Sequence, residues 1–204
     1  MKANPQVGGF VLAGGKSSRM GVDKALLEIS GVSLLARAAG LLQSVTGEPK
    51  IVASPSVYGS LGLPLVADDW PDCGPLGGIA TVLRVSRTPW NLILACDLPY
   101  LTKPWLDFLI ERALKSKADA VVPRSERGAE PLCAMYHKNA EQGIRAAVEG
   151  GVRKVTDALA SLRVEYVEPR EWKAFASEGL LFKNVNSPAD YEEAKARLSA
   201  HAKP

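Results

Sequence analysis

The sequence predicts an α/β domain built on a mostly parallel sheet, and three observations carry that prediction. Short apolar runs alternate with longer segments in which Leu, Ile, Val and Ala recur three and four residues apart, the pattern of strands and the helices that cover them. The runs are apolar throughout rather than alternating, as strands buried on both faces are. Each is followed by Gly, Pro, Ser or Asp, residues that end strands and open turns.

Taken in order, strands are expected at Gly9–Ala13, Lys50–Ala53, Leu63–Ala67, Asn91–Ala95 and Ala118–Val122. Helices are expected over Ser33–Ser44, Gly77–Arg87, Pro104–Lys117 and Asn139–Glu149, where apolar positions fall on one face. Beyond Val122 the rhythm changes. Pro131–Tyr136, Arg163–Val167 and Leu180–Lys183 read as further strands with less helix between them, so a mixed or antiparallel edge is expected there. The last helix announces itself chemically: Ser187 suits an N-cap, Pro188 the first helical position and Asp190 the reciprocal acid three residues on, with the helix running to about Ala200.

Length and composition agree with one folded domain. The chain has 204 residues, 47% apolar and 23% charged, which leaves no basis for a disordered, collagen-like or coiled-coil class. Its 25 basic and 22 acidic residues give a net charge of +3 without any Lys/Arg block, so nothing calls for nucleic acid. No apolar stretch is long enough to span a membrane. The apolar segment near the start is interrupted by Gly8 and Gly9, which argues against a signal peptide. Cys73, Cys96 and Cys133 lack metal-site spacing, and their odd number suits a reducing cytoplasm.

The sharpest local feature is Leu12-Ala13-Gly14-Gly15-Lys16-Ser17-Ser18-Arg19-Met20-Gly21-Val22-Asp23-Lys24, which begins where the first strand stops. Adjacent glycines let backbone N–H groups approach an anion, and Lys16, Arg19 and Lys24 bring cations to the same loop, a cradle for a triphosphate. Ligands of open α/β sheets bind beyond the carboxyl ends of the strands, where this loop lies. Gly15-Lys16-Ser17 mimics the end of a P-loop, but that motif needs glycine at Phe10, and no dinucleotide fingerprint is present either. A plain Gly/Ser turn with solvated cations is the competing reading.

Two acidic groups reach the same rim. Asp97 ends the Asn91–Ala95 strand and precedes Pro99, so a carboxylate there facing bound phosphates would hold Mg²⁺; a capping Asp is the plainer alternative. Asp68-Asp69-Trp70-Pro71-Asp72 precedes Gly74-Pro75-Leu76-Gly77-Gly78, whose glycines would let a nucleotide lie against the backbone. For any one of these three acids a solvated turn is as good a reading as a ligand contact. No nucleophile elbow, zinc-protease helix or kinase motif occurs. Cys96, beside Asp97, reads as a packed thiol rather than a nucleophile, because a neighbouring carboxylate raises its pKa. His137 reads as a surface residue and the four tryptophans as packing.

Together these motifs resemble the nucleotidyltransferase family that includes molybdenum cofactor guanylyltransferase. The matching blocks are Leu12-Ala13-Gly14-Gly15, Ser18-Arg19-Met20-Gly21 with Asp23-Lys24, Gly74-Pro75-Leu76-Gly77-Gly78-Ile79, Cys96-Asp97-Leu98-Pro99, Glu130-Pro131-Leu132-Cys133-Ala134-Met135-Tyr136 and Asn184-Val185-Asn186-Ser187-Pro188. They follow one another along nearly the whole chain. The Leu-Ala-Gly-Gly form is similar to the guanylyl-transferring members, where cytidylyl-transferring relatives tend to carry Leu-Ala-Ala-Gly.

The resemblance implies a Rossmann-like, doubly wound, mostly parallel sheet with a mixed C-terminal edge, of the nucleotide-diphospho-sugar transferase type. It implies one domain over 1–204, with a nucleotide-binding part at about 7–123 and an acceptor-binding part at about 124–204. Position by position, Leu12, Ala13, Gly14 and Gly15 would contact GTP, Arg19 and Lys24 its phosphates, and Asp97 both the nucleotide and Mg²⁺. An acid before the Gly-Pro-Leu block would also touch the nucleotide; that role goes to Asp69, with Asp68 and Asp72 as neighbours that could hold it. Some members carry an Asn after the second strand that helps bind guanine, where this chain offers Ser54. Asn184 and Asn186 match the region implicated in binding the molybdopterin acceptor. The implied reaction joins GMP to that acceptor's phosphate in the cytoplasm, with cofactor-insertion proteins and molybdoenzymes as further candidate partners. A cytidylyltransferase or other small-acceptor nucleotidyltransferase is the nearest alternative, and a non-catalytic nucleotide-binding module the alternative of a different class.

Overall fold

The computed structural model describes residues 4–14, 23–59, 62–176 and 179–200. The first strand, β1 (Val7–Leu12), is followed by a small antiparallel hairpin, β2 (Glu28–Ile29) and β3 (Val32–Ser33), and by α1 (Leu34–Thr46). Then come β4 (Lys50–Ala53), α2 (Pro55–Tyr58), β5 (Leu65–Ala67), α3 (Gly74–Val85), β6 (Trp90–Ala95), α4 (Lys103–Lys115) and β7 (Ala120–Ser125). The remainder comprises β8 (Gly128–Ala129), β9 (Cys133–His137), α5 (Glu141–Glu149), α6 (Val155–Ala158), β10 (Val164–Val167), α7 (Pro169–Trp172) and α8 (Pro188–Ala200). The expected alternation from β1 to β7 is present. The short β2–β3 hairpin and α2 are additions without a periodic signal.

The main sheet runs β10-β7-β9-β6-β1-β4-β5, with β8 paired to β7. The pairs β1–β4, β1–β6, β4–β5 and β7–β10 are parallel, while β9 is antiparallel to both β6 and β7. The mixed pairing thus lies in the C-terminal part, as expected, but the reversed strand is inside the sheet and β10 forms the edge. Chain length explains the reversal, because the stretch between Ser125 and Cys133 is shorter than the dozen or more residues of a parallel crossover.

Burial on both faces accounts for the apolar runs. In β1, Val7 and Val11 face α1 and α4, together with Leu35, Leu42, Trp105 and Leu109, while Phe10 faces the opposite layer with Leu76, Ile79, Leu83 and Ile144. The same division holds in β6, with Leu92 and Leu94 on one side and Ile93 on the other. Ser33 caps α1 by accepting the Ala36 N–H at 3.2 Å, and Thr102 caps α4 through Trp105 at 3.4 Å. At α8, Ser187 and Asp190 exchange the expected reciprocal bonds: Asp190 N–H to Ser187 Oγ at 3.2 Å and Ser187 N–H to Asp190 Oδ2 at 2.9 Å.

One expected strand is a turn. At Leu180–Lys183 the chain closes on itself through Lys183 N–H and Leu180 O at 2.8 Å. Its apolarity comes from side chains driven into the core: Leu181 and Phe182 are buried, and the Phe182 ring meets Trp172 and Trp105 edge-on at 4.9 and 5.6 Å between centroids.

Candidate active site

The carboxyl ends of β1, β4, β5 and β6 open onto a cleft of about 550 Å³. One wall comes from Leu12, Ala13 and Gly14 as the chain leaves β1, and a second from Val52, Ala53, Ser54 and Pro55 after β4. Ala67, Asp68, Pro71, Gly74 and Gly78 form the third, and Cys96, Asp97, Leu132 and Asn184 complete the rim. The edge of β1 is tied to β4 by Ala13 N–H on Val52 O at 3.0 Å. Gly14 then takes φ 121°, a conformation only glycine adopts without strain. Gly15 and Arg19, with Lys16, Ser17 and Ser18, lie outside the described residues.

Residues far apart in sequence converge at the mouth of β6. Lys24 opens a 3-10 turn, Lys24–Leu26, and its ammonium donates to Asn186 Oδ1 at 2.8 Å and to Asp97 Oδ2 at 3.5 Å. Asn184 Nδ2 donates to the other carboxylate oxygen of Asp97 at 3.3 Å, and Val185 N–H to the Asp97 carbonyl at 2.9 Å. The segment before α8 therefore docks onto the loop that carries Asp97, and Lys24, Asp97, Asn184 and Asn186 form one polar cluster. Arg127, at the turn between β7 and β8, supports it by donating to Asn184 Oδ1 at 3.3 Å and to the Phe182 carbonyl. Glu130 stands 3.6 Å from Arg127 and takes the Ser125 hydroxyl at 2.6 Å; burial holds its carboxyl above the usual carboxylate range.

The acids before α3 separate. Asp68 lines the cleft, its Oδ1 accepting the Thr81 hydroxyl at 2.8 Å and the Trp70 N–H at 2.9 Å. Asp69, the residue expected on sequence grounds to meet the nucleotide, points the other way into a bidentate pair with Arg84, one arm at 3.0 Å, in a groove it shares with Trp70, Glu141 and Arg145. The structure puts Asp68 on the cleft in its stead, held there by the Thr81 hydroxyl. The Gly-Pro-Leu-Gly-Gly block is the first turn of α3 rather than a loop. Gly77 is there for packing, since a Cβ would lie 2.4 Å from the Trp70 carbonyl oxygen, and Gly78 packs against Leu12.

Cys96 is half-buried beside this cluster, and burial with the charges of Asp97 and Asp23 pushes its thiol up to about 12. Such a thiol stays protonated and serves packing, in line with expectation. His137 is likewise structural, its Nδ1 accepting the Asn139 N–H at 3.2 Å and its ring edge-on to Trp90. Tyr58, Asp23 and Arg127 are what sequence reasoning did not single out, while Asp68 on the cleft is one of the neighbours it left open for the nucleotide contact. Asp23 and Glu130 stand inside recognised blocks, but Tyr58 and Arg127 carry no motif.

Known proteins share the sequence pattern and the fold of this chain. A family model described as the MobA-like NTP transferase domain matches residues 9–165. A probable molybdenum cofactor guanylyltransferase from Pelotomaculum thermopropionicum is 35% identical over 196 residues, covering 96% of this chain and 94% of the relative. One from Natronomonas pharaonis is 35% identical over 202 residues, covering 94% and 98%. Among solved structures, the molybdopterin-guanine dinucleotide biosynthesis protein A of Archaeoglobus fulgidus superposes with a TM-score of 0.84 at 25% identity, covering 94% of this chain and 98% of that one. The 2-C-methyl-D-erythritol 4-phosphate cytidylyltransferase of Thermus thermophilus, at 16% identity and a TM-score of 0.69 over 95% and 99%, shares the fold.

Proposed function

Because this chain belongs to the MobA-like NTP transferase family and is a nucleotidyltransferase, we propose that it transfers GMP from GTP to the phosphate of molybdopterin, releasing pyrophosphate. The observation that carries this reading is the cluster of Lys24, Asp97, Asn184 and Asn186 at the strand ends of an open α/β sheet. A phosphate oxygen of the acceptor attacks the α-phosphorus of GTP, an oxygen–phosphorus bond forms, and the bond to the bridging oxygen of pyrophosphate breaks. The attacking phosphate monoester is already ionised near neutral pH, so the protein needs no general base. Its work is positioning and charge neutralisation.

Lys24 supplies the cation for the phosphates, a role Arg19 shares in the sequence reading. Leu12, Ala13, Gly14 and Gly15 form the backbone wall for the nucleotide, and Asp68 takes the contact expected of Asp69. Ser54 and Pro55 face the base, and Asn184 and Asn186 face the acceptor. A nucleotide part at about 7–123 and an acceptor part at about 124–204 fit this division.

The residues present suit Mg²⁺. No group of three or more His, Cys, Asp or Glu able to hold a metal occurs among the described residues. Of the cleft carboxylates Asp23, Asp68 and Asp97, Asp23 is taken up by Tyr58 and Ala25 and Asp68 by Thr81 and Trp70, which leaves Asp97, beside the Asn184 amide, for a metal. Mg²⁺ commonly takes one or two protein carboxylates and fills its octahedron with substrate phosphates and water. Bound there, it would supply charge neutralisation at phosphate oxygens.

No helix among the described residues is long and apolar enough to cross a membrane. The three cysteines are free thiols, which suits a reducing compartment, and we assign the protein to the cytoplasm with them. The proteins that insert or use the product are the further partners this reading implies.

The test is calorimetric titration with GTP, CTP, ATP and UTP, each with and without Mg²⁺, followed by product analysis with molybdopterin. Mg²⁺-dependent preference for GTP and formation of the guanine dinucleotide are expected. Preference for CTP would make it a cytidylyltransferase, and absence of binding to every nucleotide would overturn the reading.

A further inference from the structure

Tyr58 is 2% exposed and ends α2, which begins directly after Ser54, on the wall of the cleft formed by Ser54 and Pro55. Its hydroxyl donates to Oδ2 of Asp23 at 2.6 Å. The other oxygen of Asp23 accepts the Ala25 N–H at 3.0 Å and so caps the turn Lys24–Leu26. Lys24, the first residue of that turn, places its ammonium on Asp97 and Asn186. A chain of four contacts thus runs from one side of the cleft to the other.

The chemistry of the link is robust. An O–H group on a carboxylate is among the short, strong hydrogen bonds of proteins. Burial, followed by the Asp23 carboxylate, raises the phenol of Tyr58 well above its ordinary value, so it remains a donor at every physiological pH. The hydroxyl of Tyr58 reaches the turn through Asp23, and Asp23 already has a donor on each oxygen. The pair is built to hold a backbone direction.

We propose that Tyr58 is a positioning residue for Lys24, coupling the cleft wall at Ser54 and Pro55 to the lysine through Asp23. This rests on the nucleotide-transfer reading of the cleft. A base seated against Ser54 and Pro55 steadies α2, and with it Tyr58, Asp23 and the turn that carries Lys24. A poorly seated base leaves the lysine less well held, so base selection is expressed in turnover as well as in binding.

Tyr58→Phe tests this, since it keeps the ring in the core and removes only the hydroxyl. Two readouts are expected to move. Hydrogen exchange at the Ala25 amide speeds up by about tenfold or more, because its acceptor is no longer clamped. Turnover with GTP falls by about tenfold while KM for GTP changes by less than about twofold, because the lysine neutralises charge that develops in the transition state. Asp23→Asn behaves likewise, and the double variant is no worse than the poorer single one, as expected for two ends of one bond. Unchanged Ala25 exchange in Tyr58→Phe overturns the proposal whatever the substrate is. Normal turnover with a lowered melting temperature, or losses that multiply in the double variant, overturns it as well. A wild-type protein inactive with every nucleotide would instead count against the transfer reading, and the exchange measurement would still decide the clamp.

Discussion

Thr81 holds Asp68: its hydroxyl donates to Asp68 Oδ1 at 2.8 Å and in turn accepts the Asp69 N–H at 3.0 Å. This knot, anchored on the fully buried Thr81 of α3, turns Asp68 toward the cleft and leaves Asp69 to Arg84 on the outside.

The two neighbouring acids should therefore behave differently. Asp68→Ala unties the knot and is expected to cost about 1–3 kcal/mol of stability and to weaken nucleotide binding. Asp69→Ala loses a half-exposed ion pair, worth at most about 1 kcal/mol, and leaves nucleotide affinity within about twofold. Urea midpoints and calorimetric titration of the two variants decide it. A larger affinity loss in Asp69→Ala would return the nucleotide contact to Asp69.

Lys24→Ala and Asp97→Ala are expected to lower transfer by about 10²–10³-fold, the usual effect of removing a group that meets transition-state charge. Their ion pair is 3.5 Å long and partly exposed, so each variant should keep its fold with a stability change near 1 kcal/mol or less. Turnover measured beside the melting temperature separates the two effects. Near-wild-type turnover in either variant would remove that residue from the chemistry.

Gly77→Ala should be destabilising without touching the cleft chemistry. The added methyl carbon would sit 2.4 Å from the Trp70 carbonyl oxygen and 2.7 Å from its Cβ, and backbone cannot yield as a flexible side chain would. Overpacking of this kind costs about 1–3 kcal/mol. A denaturation midpoint equal to wild type would show that Trp70 moves freely.

Asp119 provides a pH-dependent term. The Arg163 side chain bonds both its oxygens, at 2.8 and 3.1 Å, and holds its carboxyl below the usual value of 3.8 despite the opposing effect of burial. A carboxyl lowered in the folded state stabilises above its unfolded pKa, and that contribution fades as pH falls through the folded value. The stability gap between wild type and Asp119→Asn should therefore be full at pH 7 and shrink as pH falls below about 4. A gap independent of pH would mean the pair contributes only through packing.

The sheet is legible because its strands are short and wholly apolar. Phe10, Val11, Ile93 and Leu94 occupy both faces, a pattern that a half-exposed strand would not show. The position of β9 is not legible, since pairing partners are chosen by the whole sheet and only the short path from β7 reveals its direction. Leu180–Lys183 shows the limit of apolarity as a strand signal, because aromatic anchoring produces the same composition. In the site, Lys24 and Asp97 stand in recognisable blocks, Asp97 just past the end of β6 and Lys24 at the close of the Gly-rich segment after β1. The resemblance, not their spacing, brings in Asn184 and Asn186. Choosing between Asp68 and Asp69 requires knowing which way a single residue faces, and a one-residue slip reverses that. Tyr58 and Arg127 acquire meaning only from partners 35 and 57 residues away.

The contact between Lys24 and Asn186 joins residues 162 positions apart, and this sets a timetable for the protein's birth. A ribosome adding about 5–20 residues per second makes the lysine roughly ten to thirty seconds before its partner. The parallel core from β1 to β6 can pack during that interval, while Asp97 waits for the Asn184 amide and the Val185 N–H. A growing chain can consequently lay down its parallel core well before its working site, and no nascent intermediate short of Asn186 carries the complete cluster.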